Sequence, residues 1–289
     1  MKAARRSVST RLAAAADAIV GLRSMSRLFL CSVLLLLLAG CDYTTTFRYK
    51  LTLEVETPDG VKSGSSVIQE TTTEVWIPAR GVSSHDVGEA LYVDLGPGRR
   101  PLVALLTKTI PKFNKNTFNI GTPETRYKWG RDSGTALLED LFSDDPQLKK
   151  TKDESYVHYM DRISRRRDKR DVPLRGLPTL VTFADINDPL TVIHIDPESP
   201  GSIRDALGAG ISLKKATIEF VEPDGWWQRW FGQPDKAAAE ELERRLPWLI
   251  RLRQSPGGHF LSGEISERVS DPRLASHLQY SDFIIGRNR

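Results

Sequence analysis

Cysteine is nearly absent from this chain, with only Cys31 and Cys41 among 289 residues. That scarcity excludes a disulfide-stapled fold and any metal centre built on several thiolates. Histidine is sparse as well. His85, His158, His194, His259 and His277 form no His-x-x-x-His or His-x-His pair, the spacing by which zinc and iron sites usually declare themselves. No metal and no cofactor is therefore expected. Enzyme motifs are lacking in the same way. Gly64-Ser65-Ser66-Val67-Ile68 puts Ile68 where a nucleophile elbow needs its second glycine. Gly208-Ala209-Gly210 has no third glycine and runs into a strand, so it cannot cradle a dinucleotide. Asp185-Ile186-Asn187-Asp188 crowds oxygen atoms without the glycine and distal glutamate of a calcium loop. There is no internal repeat and no heptad pattern. The balance leans away from catalysis.

Long hydrophobic runs are lacking too, apart from one short stretch. Residues 28 to 39 give an apolar run of about ten to thirteen residues, whereas a spanning helix needs roughly 20. Arg23 and Arg27 precede it and Leu38-Ala39-Gly40-Cys41 closes it. Basic flank, short apolar core and small residues together predict a secretory signal. The closing tetrapeptide resembles the lipobox of bacterial lipoproteins. That resemblance implies cleavage before Cys41 by a signal peptidase of type II and acylation of the Cys41 thiol, so residues 1 to 40 are expected to leave as a signal peptide. Met25 begins a compact leader of its own, Met25-Ser26-Arg27, and a start at either Met1 or Met25 fits. Asp42, directly after the cysteine, resembles the signal that retains some lipoproteins in the inner membrane.

Removing the leader changes the charge balance. Lys2, Arg5, Arg6, Arg11, Arg23 and Arg27 lie within it, against one acid, Asp17, so of 41 basic and 37 acidic residues the remaining chain keeps 35 and 36. The basic character belongs to the leader, and no nucleic-acid partner is implied. The remaining 249 residues suffice for a sizeable core.

Residues 41 to 46 read as a lipidated tether and residues 47 to 289 as a β-rich globular domain. Phe47, Tyr49, Leu51, Leu53 and Val55 alternate with Arg48, Lys50, Thr52, Glu54 and Glu56, which predicts a half-buried strand. Thr57-Pro58-Asp59-Gly60 supplies a turn, and a β-branched strand over 61 to 77 follows, giving a hairpin. Further strands are expected over 90–95, 102–107, 180–183, 191–195, 214–222 and 259–265. Residues 111 to 131 read as a loop, and Asp132 or Ser133 as the cap of a short helix to Phe142. Residues 145 to 176 form a polar excursion that carries Arg162, Arg165, Arg166, Arg167, Lys169 and Arg170. The best helix covers 235–246, with Ala238, Ala239, Leu242 and Leu246 in one stripe, and Pro247 limits it. The fold class is α+β and β-dominated, an antiparallel sheet or sandwich of about six to nine strands with two or three helices.

Three features carry candidate functions. Cys41 is the expected lipidation site. Trp226, Trp227, Trp230 and Phe231 crowd into one short stretch, where their rings suit the core, a membrane interface, a partner surface or a glycan. His194 and Asp196 share one face of a strand, where a carboxylate can orient an imidazole, and would serve a periplasmic hydrolase. The domain as a whole resembles uncharacterised proteobacterial lipoproteins, a resemblance that implies no activity. The leading expectation is a non-catalytic binding or assembly module in the cell envelope. Its lipid would hold it to the membrane, facing the periplasm, with an envelope protein as partner. The hydrolase and the glycan-binding module are the alternatives.

Overall fold

The structure is a computed structural model that describes residues 43–75, 81–106, 108–113, 127–132, 141, 145–146, 148–166, 169–222, 236–254, 274 and 278–286. The chain forms two compact units, residues 1–43 with 74–81 and residues 44–73 with 82–289. The second unit contains nearly every element that follows.

The founding element is β1 (Tyr43–Thr57). Its odd-numbered side chains from Phe47 to Val55 are buried, and the even-numbered ones between them are half-buried. Alternation forces this result, because successive strand residues point to opposite faces. Each of those buried apolar side chains contributes about 1.5–3 kcal/mol by leaving water. The strand starts at Tyr43, four residues ahead of the expected start at Phe47, so the stretch read as tether is largely strand. Hydroxyls explain the extension. Thr44 and Thr46 pair side chain to side chain with Thr73 and Thr71, each at 3.0 Å, and Arg48 Nε donates to Gln69 Oε1 at 2.8 Å.

At the other end of β1 the chain reverses at Pro58 and Asp59 into β2 (Gly60–Val75). Thr57 Oγ1 donates to the Gly60 carbonyl at 2.7 Å, and Gly60 takes a φ of 106° that few other residues tolerate. Next come β3 (Gly81–Glu89), β4 (Leu91–Val93), β5 (Leu102–Ala104), β6 (Lys108–Phe113), β7 (Tyr127–Asp132), β8 (Arg170–Asp171), β9 (Leu180–Phe183), β10 (Val192–Ile195), β11 (Ser212–Val221) and β12 (Ile284–Ile285). Four helices are described: α1 (Tyr156–Ser164), α2 (Pro200–Leu207), α3 (Lys236–Arg245) and α4 (Trp248–Gln254).

The strands form a six-stranded sheet in the order β12-β3-β2-β1-β11-β8, a four-stranded sheet in the order β10-β9-β5-β4, and the β6-β7 hairpin. β11 runs antiparallel to both β1 and β8, β12 to β3, and every neighbour in the four-stranded sheet and the small hairpin is antiparallel too. The fold is thus α+β and β-dominated. β11 lies against β1 with Val221 opposite Arg48 and Ser212 opposite Glu56, and a bulge falls at Glu54 and Val55.

The inner faces of the two large sheets share one core. Tyr49, Leu51 and Leu53 meet Leu91, Leu102, Ala104 and Leu180, and α1 and α2 contribute Met160, Ile163, Ile203 and Leu207. The opposite face of the four-stranded sheet is equally dry. Val103, Leu105, Val181 and Phe183 pack under Leu242, Leu246, Trp248, Leu249, Phe283 and Ile284. Buried on both sides, β5 and β9 carry unbroken runs of buried residues, the pattern of a central layer rather than of a half-wet sheet. Trp248 anchors the outer core. Its ring meets Phe283 edge-on at 5.2 Å and Phe183 at 5.3 Å, and its Nε1–H donates to the Ile186 carbonyl at 2.9 Å.

Several elements depart from the expectations set by the sequence. Twelve strands and four helices are described, against about six to nine and two or three, because strands as short as β8 and β12 show no periodicity. Within the expected loop at 111–131, β6 and β7 pair with Pro111 opposite Trp129 and Ile110 opposite Gly130. A two-stranded hairpin has only edge strands, where proline is tolerated. The polar stretch 145–176 contains α1, whose Val157, Tyr159, Met160 and Ile163 are buried. The expected helix to Phe142 and the strand at 259–265 lie outside the described residues, apart from Leu141. Among the described residues no helix is long and apolar enough to cross a membrane.

Candidate functional site

Cys41, Trp226, Trp227, Trp230 and Phe231 lie outside the described residues. His194 and Asp196 lie within them. His194 sits on edge strand β10 opposite Val181, exposed, and Asp196 follows the strand end. Partial shielding from water lowers the proton affinity of His194, and the Asp196 charge opposes that shift more weakly. The Asp196 carboxylate is committed to local structure, accepting from the Glu198 N–H at 3.0 Å. Ser202 Oγ meets Asp196 through the backbone, accepting from the Asp196 N–H at 2.9 Å. Asp196, Ser199 and Ser202 thus build the turn into α2, where Ser199 caps the helix by accepting from the Ser202 N–H. A second serine and histidine meet at the start of α1, with Ser155 Oγ 2.8 Å from His158 Nδ1. That hydroxyl also accepts from the His158 N–H and is the cap of α1.

The least ordinary chemistry lies on the inner face of the six-stranded sheet. Tyr49 of β1 is buried, and Glu70 of β2 is 1 % exposed and accepts from Thr72 Oγ1 at 3.1 Å. Asp86 of β3 holds Oδ1 buried with no hydrogen-bond partner among the described residues. Tyr156, the first residue of α1, completes the group. Burial raises the Tyr49 phenol well above its ordinary value, and Glu70, Asp86 and Tyr156 add to the rise. Burial also raises the Asp86 carboxyl, and the neighbouring His85 partly offsets it. Glu70, Asp86 and Tyr156 thus gather around Tyr49 on adjacent elements, and burial disfavours the charged forms of Tyr49 and Asp86. A signal for one member, Glu70, exists in the sequence. Glu70 shares strand parity with Ser66, Ile68 and Thr72, so the alternation that buries Ile68 carries Glu70 inward as well.

The basic run of the polar stretch is largely paired. Arg162 grips Glu154 with two hydrogen bonds, at 2.9 and 2.8 Å, and holds that carboxyl below its ordinary value. Arg165 meets Asp161 at 2.6 Å and Arg170 meets Asp145 at 3.1 Å. A third polar group sits outside the second core. Buried Glu243 accepts from Arg253 Nη1 at 2.9 Å and from the Tyr280 hydroxyl at 3.1 Å, tying α3, α4 and the C-terminal turn together. Among the described residues no group of three or more His, Cys, Asp or Glu side chains is placed to hold a metal ion.

No family model, no curated protein and no solved structure matches this chain.

Proposed function

We propose that the chain is a membrane-anchored lipoprotein of the cell envelope and that its β-rich domain works as a non-catalytic binding or assembly module. One observation carries the reading: Leu38-Ala39-Gly40-Cys41 ends an apolar leader, and a single residue, Asp42, separates that cysteine from the first residue of β1. Lipid on Cys41 would hold the domain at the surface of the membrane that receives it, facing the periplasm, with Asp42 favouring the inner membrane.

The partner site that fits this reading is the edge of the six-stranded sheet at β3. Among the described residues β12 pairs only with Gly88 and Glu89, and Val82 to His85 are exposed. An extended segment of another envelope protein can add to such an edge through backbone hydrogen bonds, with side-chain pockets adding selectivity. Radiolabelled palmitate is expected to enter the wild-type chain and not Cys41→Ser; equal labelling of both refutes the anchor. A photo-crosslinker at Ser84 is expected to capture an envelope protein in living cells. Capture of lipid alone refutes the assembly role.

A further inference from the structure

The strand directions give the six-stranded sheet two unlike ends, and three parts of the chain meet at one of them. β1 begins there. β11 runs antiparallel to β1, so it finishes there, with Val221 opposite Arg48 and the chain leaving at Glu222 toward the stretch that contains Trp226. β8 runs antiparallel to β11, with Arg170 opposite Ile218 and Asp171 opposite Thr217. Its lead-in, with Lys169 and Arg170, therefore enters from that same end. The opposite end carries the Pro58–Asp59 turn, with Asp59 bonded to Arg99 at 2.7 Å and the Pro58 ring beside Gly210.

Covalent reach makes the two ends unequal. Thr44 is three residues past Cys41, a span of at most about 11 Å when extended. Thr57 lies thirteen strand residues farther, about 43 Å along the sheet. The near end is also suited to headgroups. The outer face of the hairpin there carries Thr44, Thr46, Arg48, Gln69, Thr71 and Thr73, fixed in pairs by hydrogen bonds. Beyond β11, Lys169 is exposed, while Asp145 remains on Arg170.

We infer that this end of the six-stranded sheet lies on the bilayer, with the β8 lead-in set against anionic phospholipid headgroups and the Pro58–Asp59 turn directed away from the membrane. The inference rests on the proposed lipidation of Cys41. It commits to the lipid surface as the occupant, because cationic side chains this near an acyl anchor reach headgroups before any soluble anion.

Cysteine scarcity makes the test clean, since after cleavage and acylation an introduced cysteine would be the sole free thiol. Lys169→Cys and Glu56→Cys are prepared in the full chain, isolated with their native lipid, and spin-labelled in phosphatidylglycerol vesicles. Accessibility to oxygen against a water-soluble nickel chelate reports depth. The label at 169 is expected to be shielded from nickel and the label at 56 to be fully accessible, with the difference shrinking in phosphatidylcholine vesicles or at high salt. Equal nickel access at both sites, with mass spectrometry showing lipid on Cys41, overturns the orientation and leaves the anchor intact. A difference undiminished in phosphatidylcholine overturns headgroup recognition. An unmodified Cys41 overturns both.

Discussion

Replacing Asp86 by asparagine should stabilise the fold at neutral pH. One of its carboxylate oxygens is buried without a hydrogen-bond partner among the described residues, and such an orphan costs about 1–3 kcal/mol. Asp86 as a whole is only partly buried, which favours the low end, about 1 kcal/mol. The pH dependence follows from the direction of its shift. Burial raises the folded-state pKa above the ordinary 3.8. The native state therefore holds its proton more tightly than the unfolded chain does. The carboxyl imposes no penalty below the unfolded value, and the penalty grows as pH rises toward the folded value and stays constant above it. Asp86→Asn should gain about 1 kcal/mol at pH 7, equivalent to roughly 2–4 °C in Tm for a domain of this size, and almost nothing at pH 3.5. Urea denaturation followed by tryptophan emission, repeated between pH 3.5 and 8, measures the difference. A variant that is less stable at pH 7, or whose gain is the same at both extremes, refutes the claim that this carboxylate is buried at a cost.

Three further outcomes follow from the packing. Trp248→Ala should lose about 3–5 kcal/mol of stability, because the indole fills the outer core between Phe183 and Phe283; chemical denaturation reads the loss, and one under 1 kcal/mol would contradict that placement. Gly64→Ala should lower Tm, since a Cβ at that position runs into the Tyr92 carbonyl; an unchanged melting curve would show that β2 and β4 do not approach so closely. Arg253→Ala should cost about 3–5 kcal/mol by leaving the Glu243 carboxylate buried without its cation, whereas replacing both partners with apolar residues of similar size should be near neutral. Equal losses in the single and double variants would deny the network its burial.

The strands most legible in sequence were those whose periodicity answers to one wet and one dry face. β1 and β11 announce themselves by alternation, and β9 by a short apolar run. The helix stripe of α3 was legible for a similar reason, since Ala239 and Leu242 face a single core. α1 was hidden by composition, because the charged residues flanking it on both sides obscure four buried residues spaced for one face. β8 and β12 were hidden by brevity, since two residues cannot display a period. The cluster of Tyr49, Glu70, Asp86 and Tyr156 depends on three strands and a helix lying side by side, a relation that no local pattern encodes. His194 and Asp196 were legible as neighbours, but the hydrogen bonds that commit Asp196 to the turn into α2 appear only once the chain is folded.

The central sheet imposes an order of events on synthesis. Val103, Leu105, Val181 and Phe183 receive their cover from Leu242, Leu246, Trp248, Leu249, Phe283 and Ile284, which all come later in the chain. A ribosome or translocase delivering this polypeptide amino end first must therefore expose a greasy slab before its cover has been made. Premature stop codons before Ala239 would leave that slab uncapped, and the truncated products should be prime clients for holdases and proteases.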